Sequence, residues 1–472
     1  MKKKLLAFVL AATVLMSACT GGAPAAPSDS AAPSASGSTT APAADGQAAS
    51  DISGTVRVLL AGFELEDGID PVTMAEYKGL KTFWDETFTP KYPNIKVEFT
   101  SVPWNNAQQK QQAELAAGNV DVLYTGSYVN QFYEQGLLRD IDDLLAKDTA
   151  YDPLKIFPNG IFKTSYSMVS ADGKQFGLPA VMGQRYTIMD TKLFDDWGVE
   201  YLSEKPTTEE IIEKAAKMTG KNPKTGEQNY GIWFDTTFPT DVFTFASWAY
   251  AFNADGGTGH PAKPGEIKWN LNGKEMYNLF DSYGRMVKSA IPGFVTGNGK
   301  EKLGQENNDV AIFLDWQGSN IVKAYLDSKD DSMIKRFKPV MNVGPDGEGW
   351  VACDPIVMSA KTKDVDAAWE VMKHLAGQER QEYSYKNFRW TPALASTNCI
   401  DDFDIYTKVA LEVAKNAKYT LVDEANPFYC SEITPVVTKY HSDVIAGKDV
   451  PIQPILDTLQ KKAEEWSRAN SK

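Results

Sequence analysis

The sequence predicts an α/β protein of two globular units between which the chain crosses. Three observations predict it. From Gly54 onward, short apolar strands alternate with amphipathic helices. The stretch 173–220, GKQFGLPAVMGQRYTIMDTKLFDDWGVEYLSEKPTTEEIIEKAAKMTG, leads from one such unit into another through Val181-Met182-Gly183-Gln184-Arg185. An apolar strand at 350–359 then leads back toward the first unit. With 472 residues, 43% hydrophobic and 11% aromatic, the chain is long enough for two or three domains with sizeable cores.

The chain starts with export signals. Lys2-Lys3-Lys4 is a basic n-region, and 5–16 is an apolar stretch too short to prefer a permanent span. Ser17-Ala18-Cys19 closes it with small residues and a cysteine, which resembles a bacterial lipobox with Met16 where Leu is usual. The resemblance implies a signal peptide over 1–18 and a diacylglycerol thioether on Cys19, hence a cell-membrane anchor on the extracytoplasmic side. The alternative is ordinary secretion with a chance cysteine. Residues 19–53 are Ala, Pro, Ser, Gly and Thr almost throughout, and with few large apolar side chains they read as a flexible tether.

In the first lobe, 55–60 is an apolar strand and 71–88 has helical spacing at Tyr77, Leu80, Trp84 and Phe88. Ile95, Val97 and Phe99 alternate as a strand does. A helix over 104–117 ends at Gly118, a strand follows at 120–124, and a helix over 127–135 ends at Gly136. Strand–helix alternation argues for a parallel sheet, and ligands sit beyond the carboxyl ends of such strands. Three loops fall there: 61–64, 102–104 and 125–128. In 173–220, Asp172-Gly173 is a turn, and Thr207 with Glu210 makes a capping box for a helix that Gly220 stops. The second lobe is aromatic-rich, with a helix over 271–290 and strands at 309–316 and 337–343. An amphipathic helix over 364–375 follows the return, and a third crossing falls near 419–426. This places lobe 1 at 54–181 and 355–418, and lobe 2 at 185–350 and 425–472.

The order of these segments carries a resemblance. Gly177-Leu178-Pro179, Asp190-Thr191-Lys192-Leu193-Phe194, Gly198 and Pro206-Thr207-Thr208-Glu209-Glu210 resemble the hinge segment of the family 1, maltose-type, extracellular solute-binding proteins of ABC importers. Met189-Asp190-Thr191 replaces the family's usual Tyr-Asn. Asp315-Trp316-Gln317-Gly318-Ser319 and Lys361-Thr362-Lys363-Asp364 with Ala367-Ala368-Trp369 extend the likeness to about 55–466. It implies a two-lobed periplasmic-binding-protein-like α/β fold with an interlobe cleft and three hinge crossings, which captures a carbohydrate in that cleft and delivers it to permease subunits. A monomer is expected.

Composition excludes other classes. A net charge of −14 without clustered Lys and Arg argues against nucleic acid. The four cysteines do not make a disulfide scaffold or a zinc site, though one pair among Cys353, Cys399 and Cys430 stays open. There is no Gly-x-Ser-x-Gly, no His-Glu-x-x-His and no complete Walker loop. Of the three scattered histidines, His374 lies near a helix C-terminus, where the dipole would stabilise a cation. No cofactor, metal or catalytic group is expected. A surface enzyme acting on polysaccharide and a ligand-sensing co-receptor for a membrane kinase remain alternative readings.

A sugar offers hydroxyls at its edge and apolar C–H faces, so its site needs flat rings beside hydrogen-bonding side chains. The strand ends supply Phe63, Glu64, Ser127 and Tyr128. The crossings supply Gln184, Arg185, Tyr186, Trp350 and Asp354. The second lobe supplies Trp233, Asp235, Trp248, Asp315 and Trp316, and Trp390 comes from a lobe 1 loop. Each has a plainer reading: the aromatics as core, the acids as surface, Arg185 as an ion-pair partner. Trp316 is the foremost candidate, because it ends an apolar strand and is flanked by Asp315 and Gln317.

Overall fold

Two mixed sheets, each backed by helices, divide the chain. The computed structural model describes residues 51–70, 74–183, 185–234, 242–343, 347, 349–415 and 417–471. The signal peptide, Cys19, most of the tether, Gln184 and Asp235 lie outside the described residues, as do the side chains of Asp315 and Trp316. The first sheet takes β1 (Gly54–Ala61), β2 (Ile95–Val102), β3 (Val122–Tyr124) and β4 (Gly177–Met182). The second takes β5 (Tyr186–Asp190), β6 (Gly220–Lys221), β7 (Gln228–Phe234), β8 (Val310–Trp316) and β9 (Phe337–Val340). The chain then returns with β10 (Cys353–Met358) and β11 (Thr391–Pro392). The orders are β11-β4-β10-β3-β1-β2 and β9-β5-β8-β7-β6.

The first sheet is parallel at β2-β1-β3, as the alternation predicts, but β10 runs against both β3 and β4. The reversed strand therefore begins where its neighbours end. Each sheet has its own apolar core, the first around Leu59, Leu123 and Ile356, the second around Ile188, Ile232 and Ile312. A third cluster with Met182, Met341, Val351, Cys353 and Leu411 fills the space where the chain changes lobes. The helix Ile405–Ala414, expected in lobe 1, sends Tyr406 and Ala410 into the second core.

Local signals resolved most elements. Gly118, at φ +73°, ends the helix Ala107–Ala117 in the left-handed conformation that glycine allows. Thr207 caps Thr208–Lys217 by accepting from the Glu210 amide at 3.1 Å. The capping box is only half made, because the Glu210 carboxylate turns to Ser203 and Lys214. Gly220 starts β6, three residues beyond the helix end. The expected helix at 71–88 shrinks to Leu80–Thr87, because Gly68–Ile69 and Glu76–Tyr77 pair as a small hairpin before it. His374 is no cation. It packs against Phe83, Trp84 and Phe88, and burial pushes its pKa down to about 3. Cys353, Cys399 and Cys430 are all free thiols.

The second lobe depends on one buried charge. Asp190 is fully buried at the end of β5, where it caps the next helix through the Lys192 amide at 3.0 Å. Arg336 forks onto both its oxygens at 2.9 and 2.6 Å, and Asn308 adds a bond at 2.7 Å. Removing one partner of a buried pair strands the other charge. Arg336→Met is expected to lower the unfolding free energy by about 3–5 kcal/mol. Urea unfolding checks it, and a loss below about 1 kcal/mol would contradict the assignment.

Candidate functional site between the lobes

The carboxyl edge of the first sheet gathers rings and polar groups. Past β1, Phe63 meets Tyr124 and Trp390 edge-on, each at 4.8 Å between centroids. Past β2, Trp104 stands edge-on to Tyr124 at 5.7 Å and keeps 45% of its surface exposed. Gly62 makes room for it. A Cβ there would lie 2.3 Å from the Trp104 indole nitrogen, and φ is +69°. Past β3, the buried Gln111 holds the loop. Its amide donates to the Tyr124 carbonyl at 2.7 Å, and its oxygen accepts from Thr125 and Tyr128 at 2.8 and 2.9 Å. Because β10 is reversed, its first residues reach this same edge, and the Tyr124 hydroxyl donates to Asp354 at 2.8 Å.

The crossings close the other side. Trp350, from the second crossing, is buried and donates its indole N–H to Asp423 of the third at 2.6 Å. Asp423 also accepts from the Ala425 amide at 2.7 Å. Glu424 hydrogen-bonds Ser127 and faces the charge of Arg185, whose guanidinium lies 6.0 Å from the Trp350 ring centre. Asn130, just after Tyr128, donates to the Ala425 carbonyl at 3.3 Å. A π-helical turn, Tyr429–Ile433, directly follows this segment, a geometry frequent at functional sites.

The structure therefore brings together Phe63, Ser127, Tyr128, Arg185, Trp350, Asp354 and Trp390. Four expected residues lie elsewhere. Glu64 is exposed and bonded to Tyr77 of the hairpin. Tyr186 is buried in the second core, where its hydroxyl accepts from the Gly318 amide at 2.6 Å. Trp233 is buried beside Phe313, and its indole N–H is satisfied by the Asn298 carbonyl at 3.1 Å. Trp248 is buried against Tyr283. These three aromatics are core residues, since apolar neighbours cover their faces. The backbone of Trp316 ends β8 opposite Tyr186, at the edge that meets the crossings. Trp104, Gln111, Tyr124, Asp423 and Glu424 were missed. The loop 102–104 carried a signal for Trp104, which the helical reading of 104–117 absorbed.

A sequence profile described as "Bacterial extracellular solute-binding protein" matches residues 71–382. The chain belongs to this family. A binding protein of Brucella abortus is 24% identical over 321 residues, spanning 64% of this chain and 71% of its own length. The sugar-binding protein MalE of Xanthomonas citri shares the fold at a TM-score of 0.69 and 17% identity, over 88% of this chain and 98% of its own. An ABC substrate-binding protein of Listeria monocytogenes, solved with cycloalternan, gives 0.61 and 17% over 87% and 98%. One from Agrobacterium vitis, solved with D-mannitol, gives 0.57 and 19% over 88% and 99%. The family and these neighbours are solute-binding proteins, not enzymes, and the fold is the two-lobed one of the MalE type.

The acids of this solute-binding protein sit where charge is costly. Burial, aided by the charge of Glu424, pushes Asp354 and Asp423 each up to about 7, and burial also raises Glu424. No group of three or more His, Cys, Asp or Glu among the described residues is arranged to hold a metal ion. The cleft can therefore offer hydrogen-bonding carboxyls and hydroxyls beside exposed indole, the set a polyhydroxylated ligand requires.

The raised acids bind protons more tightly folded than unfolded. Their contribution to unfolding stability then falls as pH rises from about 4 to about 7 and levels off above, opposite in sign to that of the buried His260 and His374. Asp423→Asn removes one of these groups. Its stability relative to the parent is expected to rise by about 1.4 kcal/mol per pH unit between pH 5 and 7. Urea titrations at pH 5, 6, 7 and 8 check this, and a pH-independent difference would contradict it.

Proposed function

We propose that this chain is a lipid-anchored binding protein that captures a sugar or oligosaccharide between its lobes and delivers it to an ABC permease. The observation that carries the reading is Trp104. Its exposed indole stands at the carboxyl edge of the first sheet, beside Tyr124 and the Tyr124–Asp354 pair. A sugar's C–H face would lie on the indole, while its hydroxyls reach Asp354, Ser127, Tyr128, Glu424 and Arg185. Neighbours solved with cycloalternan and D-mannitol support a polyhydroxylated ligand. A ligand touching both lobes favours the closed form by its preference for that form, which the permease would read. The protein would act as a monomer on the outer side of the cell membrane, bind without breaking bonds, and need no cofactor.

The test starts with a thermal-shift screen over mono- and oligosaccharides, followed by calorimetry with the best ligand. Trp104→Ala is expected to weaken binding more than about tenfold, because ring anchors in binding sites are worth about 2 kcal/mol or more. Its melting temperature should stay near the parent's, since the ring is half exposed. Trp248→Ala is expected to do the reverse, costing about 3–5 kcal/mol of stability with unaltered affinity of the folded fraction. Unchanged affinity in Trp104→Ala would overturn the site.

The anchor is tested separately. Two or more acyl chains hold a protein stably on a bilayer. Cys19→Ala is expected to move the protein from the membrane to the soluble fraction of expressing cells. Retention as firm as the parent's would assign the anchoring to something else.

A further inference from the structure

Away from the proposed cleft, two ion pairs among the described residues join the lobes, and the less exposed of them is Asp70–Lys323. Asp70 belongs to the hairpin that precedes the helix Leu80–Thr87 of the first lobe. Its backbone is fixed by two bonds within the hairpin, from its amide to the Ala75 carbonyl at 2.9 Å and from the Met74 amide to its own carbonyl at 2.8 Å. The hairpin is in turn tied down. Tyr77 packs on Phe388 at 5.2 Å, and the Gly79 amide donates to Asp67 at 2.7 Å. Across the gap, Lys323 lies on the helix Ser319–Ser328 of the second lobe. That helix starts at Gly318, whose amide donates to the core residue Tyr186. The Lys323 ammonium meets the Asp70 carboxylate at 3.0 Å, with only 26% and 14% of the two side chains exposed.

We propose that the Asp70–Lys323 pair is a clasp that biases the empty protein toward its closed form. Exposed ion pairs contribute little, because ordering two long side chains offsets a screened attraction. This pair differs on both counts. Both partners are carried by fixed backbone, and both are mostly withdrawn from water. They form one wall of a crevice of about 220 Å³ whose other charges, Glu76, Asp327, Lys386 and Arg389, are of both signs. Rotating the lobes apart would separate the pair and expose both charges, so the clasp favours the form in which the lobes meet here, as they do in this structure. The contact at Lys263 and Asp172 also joins the lobes, but Asp172 is 71% exposed there and screening weakens it.

The consequence is independent of what the ligand is. A clasp raises the closed fraction of the empty protein, and apparent affinity scales with that fraction. Ionic strength should therefore loosen even a ligand that carries no charge.

The experiment uses the full chain without ligand. Small-angle X-ray scattering at 20 mM and 500 mM salt reads the radius of gyration of the parent, of Lys323→Met, of Asp70→Asn, and of the exchange Asp70→Lys with Lys323→Asp. The parent is expected to expand with salt. Both single variants should be expanded at low salt and insensitive to it, and the exchange should restore the compact, salt-sensitive state. With a neutral sugar, the single variants should lose affinity on the order of three- to tenfold. Circular dichroism confirms that each variant is folded. A folded Lys323→Met with the parent's radius at both salts would overturn the clasp, as would a folded exchange variant that stays expanded. Because scattering is read without ligand, this outcome is separate from whether the cleft binds sugar.

Discussion

The indole N–H of Trp350 bonded to the buried carboxyl of Asp423 ties the second chain crossing to the third, and the two-lobed form depends on ties of this kind. Around it, the Tyr419 hydroxyl donates to the Val351 carbonyl at 3.1 Å, and Asn342 donates to the Arg185 carbonyl at 3.1 Å. The Gly183 amide donates to the Ala352 carbonyl at 3.0 Å, so the second crossing is bonded to the first as well as to the third. The apolar cluster of Met182, Met341, Val351 and Cys353 packs beneath them. Lobes joined through such a bundle can rotate about it but cannot drift apart as beads on a string. Hinges of this kind confine the backbone change to a few residues.

The same bundle fixes where a ligand can be held. Because β10 enters the first sheet against its neighbours, the second crossing delivers Asp354 to the edge where β1, β2 and β3 end. The third crossing lays Glu424 against Ser127 and the Ala425 carbonyl against Asn130 of that edge. Hinge and cleft therefore share residues. A carboxyl that costs free energy to ionise in the empty protein is well placed to gain when hydroxyl donors arrive, since hydrogen bonds to a charged acceptor are the stronger ones.

Much of this was legible in the sequence. The stretch 173–220 announced β4, the crossing, β5 and a Thr207-capped helix, because its signals are local: a turn pair, an N-cap residue and short apolar runs. The loops past β1, β2 and β3 followed from strand–helix alternation. What sequence could not settle was which aromatic is core and which is site. Trp233 and Trp248 stand in apolar runs and Trp104 before Asn105-Asn106, but whether a second layer covers a ring is a tertiary fact. The hairpin's second strand was missed because Tyr77 falls in helical spacing with Leu80, Trp84 and Phe88, and the half-made capping box because Lys214 and Ser203 compete for the Glu210 carboxylate. Glu424 lies in the third crossing expected near 419–426, but nothing in the sequence singled it out. Its place is set by Ser127, some three hundred residues earlier in the chain.

Division of labour between the lobes follows from these placements. The first sheet supplies the rings and most hydrogen-bonding side chains, from loops pinned by Gln111 and by the close fit of Trp104 over Gly62. In the proposed site the crossings supply Arg185, Trp350 and Glu424, close to the hinge about which lobes of this fold would rotate. A ligand can thus dock on a surface already formed in the first lobe and hinge, with little ordering cost. Closure then adds only what the second lobe contributes, so the closing equilibrium is set by a small difference between two large binding terms. A modest interlobe contact weighs heavily in such a balance, whereas a contact confined to one lobe, however strong, shifts affinity without shifting the closed fraction.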